Sequence, residues 1–160
     1  MIRVGQGLDV HRFSSDLARP LVLGGVTVAG ATGLDGHSDA DVATHALCDA
    51  VLGAAGLGGL GRHFPDTDPA YEGVSSLELL ARCCALAREA GFRVGSAQVT
   101  VVAQVPRLSE HLDPMSAALS ATAGAPVSVG ATTTDGLGAI GRGEGIAASA
   151  VAVLEDRRTP

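Results

Sequence analysis

Leu34-Asp35-Gly36-His37-Ser38-Asp39-Ala40-Asp41-Val42-Ala43-Thr44-His45-Ala46-Leu47-Cys48-Asp49-Ala50-Val51-Leu52-Gly53 reads as a loop running into a helix. Ser38 is a good N-cap, and Asp41 three residues on completes a capping box that sets negative charge against the positive end of the helix dipole. Val42, Ala43, Ala46, Leu47, Ala50 and Val51 form an apolar body, while Asp41, His45 and Asp49 share one stripe at four-residue spacing. Taken alone, Asp41 reads as a charge on the solvated side of a surface helix.

His45 needs a partner, and the N-terminus supplies one in Gly5-Gln6-Gly7-Leu8-Asp9-Val10-His11. If that segment is a strand, Asp9 and His11, two apart, leave the same face of the sheet. Asp9, His11 and His45 would then make an O,N,N set that leaves a zinc ion one open position for substrate. Asp49, one turn beyond His45, is expected to orient a histidine ligand.

Outward from this centre, Ile2 to Val10 reads as a strand and Leu21 to Val28 as a hairpin turning on Gly24 and Gly25. Gly56 to Pro69 is a long irregular segment whose Phe, Pro and turn residues suggest order. Ser75-x-x-Glu78 is a second capping box, opening a helix that Gly91 stops. Val94 to Ala103 is a strand, Leu108 to Ala123 a helix closed by Gly124, and Val127 to Thr133 and Gly145 to Leu154 two further strands. The expected fold class is α+β: a small mixed β-sheet with helices packed on one face, forming one sandwich-like domain over residues 1–160.

Composition narrows the function. Of 160 residues, 46% are hydrophobic and only 2% aromatic, and the net charge is -6. Few stacking rings and no basic excess argue against nucleic acid as a partner. No apolar run reaches membrane-spanning length and no leader precedes the first strand, so a soluble bacterial cytoplasmic protein is expected. Cys48, Cys83 and Cys84 match no zinc or redox spacing and read as small core residues. All 11 basic side chains are arginine. A Walker-A or Schiff-base lysine is thereby excluded, and any bound anion must be held by arginine, metal ions, hydroxyls or backbone N–H groups.

Ala131-Thr132-Thr133-Thr134-Asp135 closes a strand with hydroxyls and a carboxylate, and a glycine-rich run follows from Gly136 to Gly145. Threonines alone are ordinary strand residues. Clustered hydroxyls, turn N–H groups and a carboxylate able to hold a hard cation suit a diphosphate. Ala103 to Leu108 lies at a strand-to-helix junction, where free N–H groups also collect. On residues alone, a metal hydrolase using water as nucleophile and a phosphate-binding protein without turnover both remain open.

Gly5-x-Gly7-x-Asp9-x-His11, His37-Ser38-Asp39-x-Asp41-Val42-Ala43-x-His45, Phe64-Pro65-Asp66-Thr67-Asp68, Ala131-Thr132-Thr133-Thr134 and Gly141-Arg142-Gly143-Glu144-Gly145-Ile146 together closely resemble the 2-C-methyl-D-erythritol 2,4-cyclodiphosphate synthase family of non-mevalonate isoprenoid synthesis, from residue 2 to about 154. The resemblance implies a homotrimer with active sites at subunit interfaces, zinc on Asp9, His11 and His45, and a second divalent cation, magnesium or manganese, held through Asp135. It implies that the substrate's 2-phosphate attacks the β-phosphorus of its own cytidine-linked diphosphate and that CMP leaves. His37 and Thr133 would stabilise the transition state, with Ser38 beside the former. Gly59-Leu60-Gly61 and Phe64-Pro65-Asp66-Thr67-Asp68 would hold the methylerythritol part. Ala103-Gln104-Val105-Pro106-Arg107-Leu108-Ser109 and Thr132-Thr133-Thr134-Asp135 of a neighbouring subunit would contact cytidine and phosphate, with Ala139 and Arg142 nearer the trimer axis. Asp135 replaces the family's usual glutamate, Gly59 an aspartate, Ala139 a phenylalanine, Arg107 a lysine and Leu8 an aromatic residue.

Overall fold

The computed structural model describes residues 1–157. Their elements run β1 (Ile2–Arg12), β2 (Pro20–Leu23), β3 (Val26–Thr32), α1 (Val42–Ala55), α2 (Leu60–His63), a 3-10 turn (Pro69–Tyr71), α3 (Ser76–Glu89), β4 (Phe92–Val102), α4 (Leu112–Ala123), β5 (Val127–Thr132), α5 (Gly138–Gly141) and β6 (Gly145–Asp156). The main sheet has the order β1-β6-β4-β5, with β4 and β5 parallel and the other neighbours antiparallel. It is therefore the expected mixed sheet. β2 and β3 form a separate hairpin, turning on Gly24 and Gly25 at φ 55° and 75°. Two successive positive φ values match the twist of a tight hairpin and favour glycine.

Helix α1 lies across β1, β6 and β4, α3 packs on α1 and β4, and α4 packs on β5. The helix-facing side chains of β6 are small or medium in size, Ile146, Ala148, Ala150, Ala152 and Leu154, and all are fully buried. On β1 the residues under α1 are smaller still. A Cβ on Gly5 would fall on the Ala50 carbonyl oxygen, and one on Gly7 would fall on the Ala46 carbonyl oxygen. Only glycine allows a helix backbone to rest this close to a strand. The opposite face of β1 carries Ile2, Val4, Leu8 and Val10, at 58 to 70% exposure.

Helix α1 begins later than the capping box implied. Ala40 adopts φ 57°, a left-handed turn that prevents the helix from extending back to Ser38, and Asp41 is the N-cap. Nor is Asp41 on a solvated stripe. Wholly buried, it accepts from Thr44 N at 3.0 Å and Gly24 N at 2.8 Å through Oδ1, and from Gly25 N at 2.7 Å and Thr44 Oγ1 at 2.6 Å through Oδ2. One carboxylate thus caps α1 and holds the β2–β3 turn; burial pushes its carboxyl pKa up despite these donors.

The second capping box is also absent. Ser75 makes no side-chain cap bond, and Glu78 pairs with Arg82 along the helix. Helix α4 starts at Leu112 rather than Leu108. The supposedly irregular Gly56 to Pro69 stretch contains α2. Cys48, Cys83 and Cys84 are buried and free, and burial pushes the Cys84 thiol up to about 11. No helix among the described residues is long and apolar enough to cross a membrane.

Gly7→Ala is expected to force α1 off β1 and to destabilise the fold by about 3 kcal/mol, the upper end for overpacking, because the obstacle is backbone. Urea unfolding should show the unfolding free energy falling by that amount and the midpoint falling with it; an unchanged midpoint would remove the close approach as a constraint.

Candidate active site

Strand alternation sends Asp9 and His11 toward α1, beyond Gly5 and Gly7, and the first turns of α1 bring His45 to meet them. Asp9 Oδ2 lies 2.9 Å from His11 Nε2 and 3.1 Å from His45 Nδ1. The imidazole centroids are 5.5 Å apart. One donor atom from each residue falls within 4.8 Å of the other two, and among the described residues this is the one His/Cys/Asp/Glu group so arranged. An O,N,N donor set of this size fits a tetrahedral divalent ion with one position left for substrate.

The outer ring nitrogens are tied as well. His11 Nδ1 contacts the Asp35 carbonyl, and His45 Nε2 lies 2.9 Å from Ser76 Oγ and 3.1 Å from Ser38 Oγ. Burial opposes ionisation of Asp9, but hydrogen bonds from His11 and His45 outweigh it and hold the carboxyl well below the usual range. The hydrogen bond to Asp9 raises the His11 pKa, although burial works against it.

The loop before α1 is pinned from both sides. Arg19 Nη2 donates to the Gly36 carbonyl at 2.9 Å and to that of Ser38. The Gly73 N–H donates to the His37 carbonyl at 2.9 Å, and the Asp39 N–H to that of Val74 at 3.2 Å. The His37 ring reaches the Asp68 carbonyl at 3.2 Å. His11, His37, Ser38 and His45 thereby line one wall of a cavity of about 360 Å³, and Leu60, Gly61, Phe64, Asp66, Tyr71 and Leu79 line much of the rest. Gly59 caps α2 at its edge. Pro65 and Asp68 shape the turn that follows: the Pro65 carbonyl accepts from the Asp68 N–H, and the Asp68 side chain accepts from the Ala70 N–H. Thr67 is exposed.

Asp49 does not orient a histidine. Its Oδ1 accepts the Leu60 N–H at 2.6 Å, so it anchors the glycine loop to α1. Ser76 and Asp39 touch or support His45 instead. Nothing in local spacing marks either residue: Asp39 reaches Ser76 from 37 residues away, and Ser76 meets a helix residue 31 positions earlier in the chain.

The anion-binding candidates occupy a second cavity, of about 470 Å³, lined by Ala103, Gln104, Val105, Pro106, Arg107, Leu108, Ser109, Thr132 and Thr133 among others. Asp135, at φ 52°, donates its N–H to Thr133 Oγ1, and Gln104 Oε1 accepts the Gly136 N–H. Thr134 Oγ1 donates to the Leu137 carbonyl at 2.7 Å. Ala139 is exposed on α5, and Arg142 pairs with Glu144 at 2.7 Å. Within one chain, His37 and Thr133 line different cavities, and Asp135 stands outside the Asp9 cluster.

The YgbB family model matches residues 2–155. The chain is 51% identical over 158 residues to the 2-C-methyl-D-erythritol 2,4-cyclodiphosphate synthase of Geobacillus kaustophilus, covering 97% of this chain and 99% of that protein. It superposes on the bifunctional IspDF of Campylobacter jejuni with a TM-score of 0.92 and 41% identity, covering 98% of this chain but only 42% of that longer protein. For IspF of Plasmodium falciparum in complex with CDP, the TM-score is 0.83 and the identity 29%, over 98% of this chain and 97% of that one.

The Asp9–His11 pair also sets a pH dependence in metal-free protein. His11, raised above 6.5, contributes stability that is complete below 6.5 and lost as pH climbs through its raised value. Asp9, held below 3.8, contributes above 3.8 and loses that as pH falls through its depressed value. The Tm of chelator-treated protein is expected to fall as pH rises from 6.5 through neutrality. Asp9→Asn should flatten that decline, and an unchanged slope would remove the pair as its source.

Proposed function

Because the chain belongs to the YgbB family, the 2-C-methyl-D-erythritol 2,4-cyclodiphosphate synthases, we propose that its own reaction is the family's, carried out by one domain in the bacterial cytoplasm. 4-Diphosphocytidyl-2-C-methyl-D-erythritol 2-phosphate is converted to 2-C-methyl-D-erythritol 2,4-cyclodiphosphate and CMP. An oxygen of the 2-phosphate forms a bond to the β-phosphorus, the bond from that phosphorus to the bridging oxygen breaks, and CMP leaves with that oxygen. It is a phosphorus–oxygen lyase reaction. The observation that carries the reading is the meeting of Asp9, His11 and His45 at the wall of a cavity also lined by His37 and Ser38.

Asp9, His11 and His45 would hold zinc, which when bound would supply Lewis-acid withdrawal of charge at a phosphoryl oxygen. The protein's own task is to fold a flexible chain so that its two ends meet, which makes the attack intramolecular. Gly59, Leu60 and Gly61, with Phe64 to Asp68, receive the methylerythritol part. His37 donates to phosphoryl oxygen from one wall. The segment Ala103 to Ser109 takes the cytidine, with Arg107 and the Thr132, Thr133 and Thr134 hydroxyls toward the diphosphate. Asp135 would hold the second divalent cation, magnesium or manganese, which would offset charge on the diphosphate, and Arg142 adds a further anion contact nearer the axis.

The partner arrangement is a homotrimer with the site shared between subunits. Two observations support it: the metal-side and nucleotide-side residues occupy separate cavities of one chain, and β1 leaves Ile2, Val4, Leu8 and Val10 uncovered. Each such side chain gains about 1.5–3 kcal/mol on full burial, ample drive for association. Sedimentation equilibrium is expected to give three times the 15.9 kDa chain mass; a monomer turning over at full rate would overturn the shared site.

His45→Ala should lose zinc and lower CMP release by on the order of a hundred- to a thousand-fold while keeping its circular dichroism. Full zinc in that variant would exclude His45 as a ligand. Asp135→Ala should keep zinc but weaken turnover and its magnesium dependence. Phosphorus NMR of the product should show a cyclic diphosphate; a free phosphate monoester released with CMP would point to hydrolysis instead.

A further inference from the structure

We infer that Asp39 and Ser76 are positioning residues for the reaction, joined to His45 in a carboxylate–hydroxyl–imidazole chain that aims its Nδ1 at the position shared with Asp9 and His11, so that when a metal displaces the Nδ1 proton now donated to Asp9 the proton on Nε2 is retained. The inference rests on the reading that these residues hold zinc. A neutral imidazole ligates through the nitrogen without a proton, so His45 must carry its proton on Nε2. Nε2 faces only hydroxyls, Ser76 Oγ at 2.9 Å and Ser38 Oγ at 3.1 Å. A hydroxyl can donate or accept, and by itself leaves the tautomer open.

Asp39 removes that freedom. Ser76 Oγ contacts Asp39 Oδ1, and the Ser76 N–H donates to Asp39 Oδ2 at 3.0 Å. An ionised carboxylate only accepts, so the single Ser76 hydroxyl proton is committed to Asp39. The oxygen's lone pair is then what meets Nε2, and Nε2 must donate. Ser76 is fully buried at the first turn of α3, whose Leu79 and Leu80 are packed in the core, so the hydroxyl cannot swing away. Asp39 is braced in turn by the Asp41 N–H at 3.2 Å. Ser38 Oγ is already an acceptor for the Ala40 N–H at 3.2 Å and offers Nε2 the longer contact. His11 receives the same directional control from the Asp35 backbone carbonyl, also an acceptor only. Of the two histidines, His45 is the one whose orientation is written in side chains.

The test compares Zn²⁺ affinity, by competition with a chromophoric chelator, and the visible spectrum of the Co²⁺-substituted enzyme. The variants are Ser76→Ala, Asp39→Asn, their double and His45→Ala, each checked for folding by circular dichroism and Tm. Ser76→Ala should bind Zn²⁺ about 10-fold more weakly and shift the Co²⁺ bands while its Tm stays near that of the parent. Because Asp39 acts through Ser76, the double variant should bind no more weakly than Ser76→Ala alone; losses that multiply would make Asp39 a mere brace of the loop and overturn its role. Unchanged affinity and spectrum in Ser76→Ala, with zinc lost in His45→Ala, would overturn the chain. Zinc retained in His45→Ala would instead overturn the metal assignment beneath it.

Discussion

The contact on which the rest of the molecule depends is the seating of α1 directly on the backbone of β1 over Gly5 and Gly7. A helix normally stands off a sheet by the depth of its side chains, and here alanine on one side and glycine on the other remove most of that depth. The consequence is chemical. Gly7 lies two residues before Asp9, and Ala46, whose carbonyl covers it, directly follows His45. Metal–ligand distances are tolerant to about 0.2 Å, so a helix raised by even one methyl group would no longer bring His45 Nδ1 to the Asp9 carboxylate.

Around that seat the polar groups are few, buried and directed. Ser14, Ser38, Asp41, Thr44, His45 and Ser76 are buried in a core otherwise made mainly of Ala, Leu and Val, and no buried side-chain nitrogen or oxygen among the described residues lacks a partner. Each acceptor-only group fixes the direction of a chain: Asp41 for the helix start and the hairpin turn, the Asp35 carbonyl for His11, Asp39 for Ser76 and then His45. A protein of net charge -6 without lysine cannot draw in a highly anionic substrate by its overall field. The charge compensation has to be local, and rigid local geometry makes fixed donors and cations effective.

The separation of the two candidate-site cavities follows from the topology. The metal-side residues sit where β1 ends and α1 begins, whereas Arg107, Thr132 and Thr133 sit beyond the parallel pair β4 and β5, at the far edge of a sheet ordered β1-β6-β4-β5. The chain cannot fold one edge of its own sheet onto the other. In the proposed homotrimer a neighbouring copy would supply what lies across that gap, and the uncovered apolar residues of β1 would be the face for it.

Much of this was legible in the residues: the strand parity that pairs Asp9 with His11, the glycine hairpin, the helix through His45 and the mixed sheet all follow from local periodicity and turn chemistry, which act over a few neighbouring residues. The helix starts were not. Ser38 and Ser75 look like caps by type and spacing, but the left-handed turn at Ala40 and the buried role of Asp41 depend on the distant hairpin that Asp41 holds. Asp49 differs from expectation for the same reason: its position one turn from His45 says nothing of where its carboxylate bends, and the Leu60 N–H takes it. The sequence by itself therefore determined the strand parity that pairs Asp9 with His11, the helix that carries His45 and most of the local elements around them. Only the tertiary structure decided which hydrogen-bond partner each carboxylate and hydroxyl takes, because those partners come from segments far apart in the chain and meet only once the helices are packed on the sheet.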